Sequence, residues 1–144
     1  MSRVTKTVTV AADPETVIEY IAEVENHPAF IGPLKSVENL SGPAREPGTS
    51  WDWTFIMAGV EFSGRAEAVE YQPGRLYRYR TTSGILSTFT YSVEPDGGKG
   101  TRLVMDVEYE MPGNVVEKVG ASVAERLNDH AGDSATENIR IILE

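Results

Sequence analysis

The sequence predicts an α+β fold: a curved antiparallel sheet wrapped around one long C-terminal helix, with two short helices after the first strand. Three observations predict it. Apolar residues recur with a period of two from Leu34 to Met111, as in strands with one buried face. An apolar residue then occupies every fourth position from Val115 to Leu143, a helical spacing. The segments between strands are short, and parallel pairing needs long crossovers, so successive strands pair antiparallel. At 144 residues the chain is read as one domain, residues 1–144.

The elements follow in order. Val4, Val8 and Val10 share one face of a first strand rich in β-branched residues. Asp13 is placed to cap a helix, with Pro14 at its first position and Glu15 at its positive end. Val17, Ile18 and Ile21 form its buried stripe. Pro28 interrupts the pattern, and a second short helix from Ala29 carries Phe30 and Ile31 inward until Gly32-Pro33. Leu34 to Leu40 is a weak strand. Trp51, Trp53, Phe55 and Met57 make the aromatic face of the next. Val60, Phe62, Gly64, Ala66 and Ala68 make one face of a third, whose small residues let a helix or a bent sheet approach closely and where Gly64 marks a bulge.

The strand from Leu76 to Thr82 carries Tyr77, Tyr79 and Thr81 on one side and Arg78 and Arg80 on the other. Phe89, Tyr91 and Val93 define the following strand, and residues 95–100 its hairpin tip. Leu103, Met105, Val107, Tyr109 and Met111 face inward from the last strand, opposite Asp106, Glu108 and Glu110. Pro112-Gly113 stops the sheet. Asn114 is expected to cap the final helix, with Glu117 completing a capping box. The four-spaced row Val115, Val119, Val123, Leu127, Ala131, Ala135, Ile139 and Leu143 drifts by about 40° per step. The buried face should therefore rotate along the helix, or the helix should bend near Gly132.

Composition narrows the function. The net charge of −9 argues against nucleic acid and anionic membrane surfaces, both of which call for a basic patch. The absence of cysteine excludes disulfides, thiolate catalysis and zinc–thiolate sites. No stretch approaches the roughly 20 apolar residues of a membrane span. Residues 1–7 hold no apolar run of signal-peptide length, so the chain is read as cytoplasmic and Asn39-Leu40-Ser41 as a chance sequon. Gly97-Gly98-Lys99-Gly100-Thr101 fails as a phosphate loop: glycine follows the lysine and a strand follows the loop. No metal or cofactor is expected, and no nucleophile-elbow, zincin or dinucleotide-binding pattern occurs.

Three segments carry a family resemblance. Val8 to Ile21 resembles the strand-then-helix entry of the START-like, or Bet v 1-like, superfamily. Glu25-Asn26-His27-Pro28-Ala29-Phe30-Ile31 resembles its second helix. Gly100-Thr101-Arg102-Leu103 with Val107-Glu108-Tyr109 resembles its last strand. The whole chain is similar to the polyketide cyclase/dehydrase-like branch. The resemblance implies a helix-grip fold with an internal cavity for lipids, sterols, polyketides or quinones, and in some members cyclisation or dehydration there. Where the family often has an Asp after the first helix, this chain reads Glu23-Val24-Glu25.

The expected ligand-binding residues are Phe30, Trp53, Phe55, Phe62, Tyr79, Phe89, Tyr91, Met105, Tyr109, Val123 and Leu127, because ligand pockets are mostly apolar with a few placed polar groups. The same side chains would equally fill a packed core. His130 and Ser134, one turn apart on one edge of the final helix, are the candidate acid–base residues. Asn128 lies at the opposite edge. His27 is read as a junction residue, and Arg78 and Arg80 as partners of outward acidic residues across the strands. The expected partner is a small hydrophobic molecule, such as a lipid, a polyketide or another aromatic or isoprenoid-like compound, bound or transported in an internal cavity. The alternatives are a cyclase or dehydratase acting on a polyketide-like substrate there, and an interaction module with a filled core.

Overall fold

The computed structural model describes every residue except Ala44 and Lys99. Its strands are β1 (Ser2–Val10), β2 (Leu34–Ser41), β3 (Ser50–Met57), β4 (Val60–Gln72), β5 (Leu76–Thr81), β6 (Ser87–Pro95) and β7 (Thr101–Tyr109). They form one antiparallel sheet in the order β1-β7-β6-β5-β4-β3-β2. β2 to β7 meander through short connections, and β1 joins at the far edge, from Ser2 opposite Tyr109 to Val10 opposite Thr101. The helices are α1 (Pro14–Ala22), α2 (His27–Phe30), α3 (Gly113–Val119) and α4 (Ala121–Ile142), with a turn of 3-10 helix at Val24–Asn26. The tip at residues 95–100, including the rejected phosphate loop, contains Lys99 and lies partly outside the described residues.

Local chemistry explains these elements. Asp13 Oδ1 accepts from the Thr16 amide at 2.8 Å and starts α1, with Pro14 in its first turn. Val17, Ile18 and Ile21 are fully buried beneath it. On the outer face of the sheet Arg78 pairs with Glu70 at 2.8 Å, Arg65 with Asp52 at 2.7 Å, and Arg80 with Glu67. Such exposed pairs contribute little stability, but they fix which face points outward.

The C-terminal helix departs from the expected single rod. It breaks at Gly120, whose φ of 85° and ψ of 153° suit glycine alone, and this separates α3 from α4. Pro112 precedes the first turn of α3 with no side-chain cap, and Asn114 is exposed inside the helix, so the expected capping box does not form. α4 runs unbroken through Gly132. A Cβ there would lie 2.7 Å from Val4 Cγ1, so this glycine lets the helix approach β1. Lys6 of β1 holds the same region through Asp129 at 2.8 Å and Asp133 at 3.0 Å.

Gly64 is likewise not a bulge. The β3–β4 register runs unbroken past Trp53 opposite Gly64, and the irregularity of β4 falls between Ala68 and Glu70. A Cβ on Gly64 would lie 2.2 Å from the Ser83 carbonyl oxygen and 2.8 Å from Trp53 Cζ2. The glycine lets the β5–β6 loop cross the sheet and close over the indole. Gly64→Ala should therefore destabilise the protein by about 1–3 kcal/mol, as overpacking does. Urea unfolding measures this, and an unchanged midpoint would contradict the close approach.

Candidate functional site

A cavity of about 110 Å³ lies between the concave face of the sheet and α4. β3 contributes Trp51, Trp53, Phe55 and Met57, the aromatic face set by its period of two. β5, β6 and β7 add Tyr79, Phe89, Met105, Val107 and Tyr109. The α4 wall is Asn128, Ala131, Gly132 and Ala135. The hollow follows from that pairing, because large rings line the sheet while small residues line the helix. None of the described lining residues is Asp, Glu, Lys or Arg. Tyr79 stacks on Phe89 with centroids 4.7 Å apart at 9°, and on His27 at 5.1 Å and 24°.

Of the residues expected to bind ligand, Trp53, Phe55, Tyr79, Phe89, Met105 and Tyr109 line this cavity. Phe30 and Tyr91 do not; they are fully buried in the solid aromatic core beside it, 6.3 Å apart and edge to face. Phe62 is half-buried beside Phe55 near the β3–β4 turn, outside the lining. Val123 and Leu127 are exposed, at 36% and 44%. Counting back from buried Ala135, they sit about 120° and 80° around the helix, so the four-spaced row leaves the sheet. The face that docks is Ala124, Asn128, Gly132, Ala135 and Ile139.

His130 is exposed and Ser134 half-buried, and neither lines the cavity. From these positions neither side chain reaches a molecule held in the cavity as an acid or base. Asn128, on the opposite edge, does reach the cavity. Its Nδ2 donates to Tyr109 Oη at 2.9 Å and contacts Met57 Sδ at 3.6 Å.

His27 sits at the junction of the short helices, as the sequence indicates, and is also a buried residue of the cavity wall. α1 ends without a glycine cap, so its last carbonyls need donors. Asn26 Nδ2 donates to Tyr20 O at 3.0 Å, and His27 Nε2 donates to Ile21 O at 2.8 Å. This capping draws the imidazole inward. The one signal in the sequence is an Asn-His pair shortly after a helix that lacks a C-terminal glycine. Because Nε2 carries the proton, Nδ1 is left as an acceptor.

The Tyr77 and Tyr91 hydroxyls and Trp53 Nε1 are buried without a hydrogen-bond partner among the described residues. Burial pushes both phenols well above their usual pKa range. No three His, Cys, Asp or Glu side chains gather into a metal site among the described residues. Among those residues, too, no helix is long and apolar enough to cross a membrane.

Burial pulls the His27 pKa down to about 4. The unfolded chain takes up this proton near pH 6.5, and the folded chain only near pH 4. Stability from this group is therefore complete above pH 6.5 and is lost as the pH falls toward 4, a loss of about 3 kcal/mol. His27→Gln keeps a donor and does not titrate. Urea unfolding across this window should show a shallower acid dependence for the variant, and equal slopes would contradict the burial.

The sheet order, the gripping helix and the cavity define the helix-grip fold of the START-like, or Bet v 1-like, superfamily. Within it the chain belongs to the family described as "Polyketide cyclase / dehydrase and lipid transport", whose model matches residues 1–140. Among solved structures it is similar to the Zhui aromatase/cyclase of a Streptomyces species, with a TM-score of 0.78 and 17% identity over 99% of this chain and 93% of that one. Major latex-like protein 151 of Panax ginseng superposes with a TM-score of 0.72 and 13% identity, over 99% and 97% of the two chains. A START superfamily protein of Mycobacterium smegmatis gives 0.63 and 20%, over 92% and 96%. Identities this low establish the fold alone. No curated protein sequence gives a significant match.

Proposed function

We propose that this chain holds a small hydrophobic molecule in the cavity between the sheet and α4. The observation that carries the reading is the wall itself, which is almost wholly apolar and holds no ionised side chain among the described residues. Burying apolar surface there favours a ligand by about 25 cal/mol per Å² removed from water, before the cost of association. The family description, which covers both cyclases and lipid transport, is consistent with this use.

A cyclase or dehydratase would need a positioned acid and base. Among its described residues the cavity wall offers His27, neutral and tied to Ile21 O, and tyrosines, but no carboxylate. Binding is therefore favoured over turnover. The filled-core alternative loses support because large sheet side chains meet Ala131 and Ala135 across open space.

Naphthalene is a suitable probe, being neutral and flat. Trp51 and Trp53 line the cavity, so indole fluorescence should change on its titration. Ala135→Leu directs added carbons into the hollow. It should weaken naphthalene binding by about tenfold or more, as overpacking costs about 1–3 kcal/mol, while circular dichroism stays native. Equal affinity in the folded variant would place the probe elsewhere and contradict the reading.

A further inference from the structure

We infer that the ligand is a neutral, compact aromatic molecule bearing an oxygen, such as a hydroxyl, that accepts from the Tyr109 hydroxyl, and that Asn128 holds Tyr109 in place to donate. This inference rests on the cavity-binding reading above and adds what the cavity selects.

The polar pair is the first ground. Asn128 Nδ2 faces both Met57 Sδ and Tyr109 Oη. A thioether can only accept, so the amide nitrogen is on that side and Oδ1 is turned away from it. Both amide hydrogens are engaged. Tyr109 Oη is used as an acceptor, and its own hydrogen has no other partner among the described residues. The Tyr109 hydroxyl therefore keeps one donor unused, on a residue that lines the cavity. An oxygen on the ligand can accept from it; a hydrocarbon cannot.

The uncharged wall is the second ground. A carboxylate, phosphate or ammonium brought inside would meet no countercharge among the described lining residues, and an unpaired buried charge is strongly unfavourable. Size and shape are the third. At about 110 Å³ the hollow is smaller than the roughly 300–1,000 Å³ of pockets for drug-sized ligands, so it suits a compact molecule. The stacked Tyr79 and Phe89 rings supply a flat wall for an aromatic guest.

Calorimetric titration with naphthalene, 2-naphthol and 2-naphthoate at pH 7 tests this. The three share one ring system and differ in the group presented. The native protein should bind 2-naphthol about three- to tenfold more tightly than naphthalene, the worth of a net hydrogen bond. It should bind 2-naphthoate more weakly than either. In Asn128→Leu and in Tyr109→Phe the ratio of naphthol to naphthalene affinity should fall to about one, and the ratio within each variant controls for any general loosening of the cavity. A ratio preserved in both variants, or 2-naphthoate binding as well as 2-naphthol, overturns the assignment while leaving cavity binding intact. Failure of all three probes to bind overturns the cavity reading and this inference with it.

Discussion

The contact between α4 and the β1–β7 edge of the sheet determines where everything else lies. Gly132 has no side chain, so the helix settles directly against Val4, and Met105 Cε would lie 3.5 Å from a Cβ at this position. Lys6 bridges to Asp129 and Asp133 and keeps α4 from sliding. With the helix anchored along this edge, the curved face of β3 to β6 stands away from it. The residues turned toward the gap are Ala131 and Ala135, too small to fill it. The cavity is thus a consequence of small residues on the helix and large rings on the sheet, as close packing requires unless side chains leave space.

The other end of the molecule is packed with rings. α1 and α2 cover the fully buried Phe30, Tyr77 and Tyr91, none of which lines the cavity. His27 stands at the boundary. One nitrogen closes the end of α1 through Ile21, and the ring stacks on Tyr79, which in turn stacks on Phe89 in the cavity wall. The helix cap and the cavity wall therefore share one side chain. A change at His27 should be felt both in stability and in the shape of the site.

Much of this was legible in the sequence. The inward face Trp51, Trp53, Phe55 and Met57 followed from strict alternation, and the antiparallel meander from short turns. The outward pairing of Arg78 and Arg80 followed from the same alternation. The helix phase was not legible. A four-residue repeat is close enough to the helical period to look like one face, yet it drifts away over two turns. Gly120 added a break that composition alone does not distinguish from a tolerated glycine. Phe30 and Tyr91 could not be separated from true cavity residues, because periodicity reports burial and not whether the buried space is filled. His27 was missed because its burial depends on capping a helix that ends several residues earlier.

The central claim is that apolar ligands enter the hollow between α4 and the sheet. Intermolecular nuclear Overhauser effects from bound naphthalene test it most directly. The account predicts transfer to the Met105 methyl group, the Phe89 ring and the Trp53 indole, and none to the exposed side chains of Val123 and Leu127. Transfer to Val123 and Leu127, with none to Met105 and Phe89, would place the ligand on the outer surface of the helix and contradict the account.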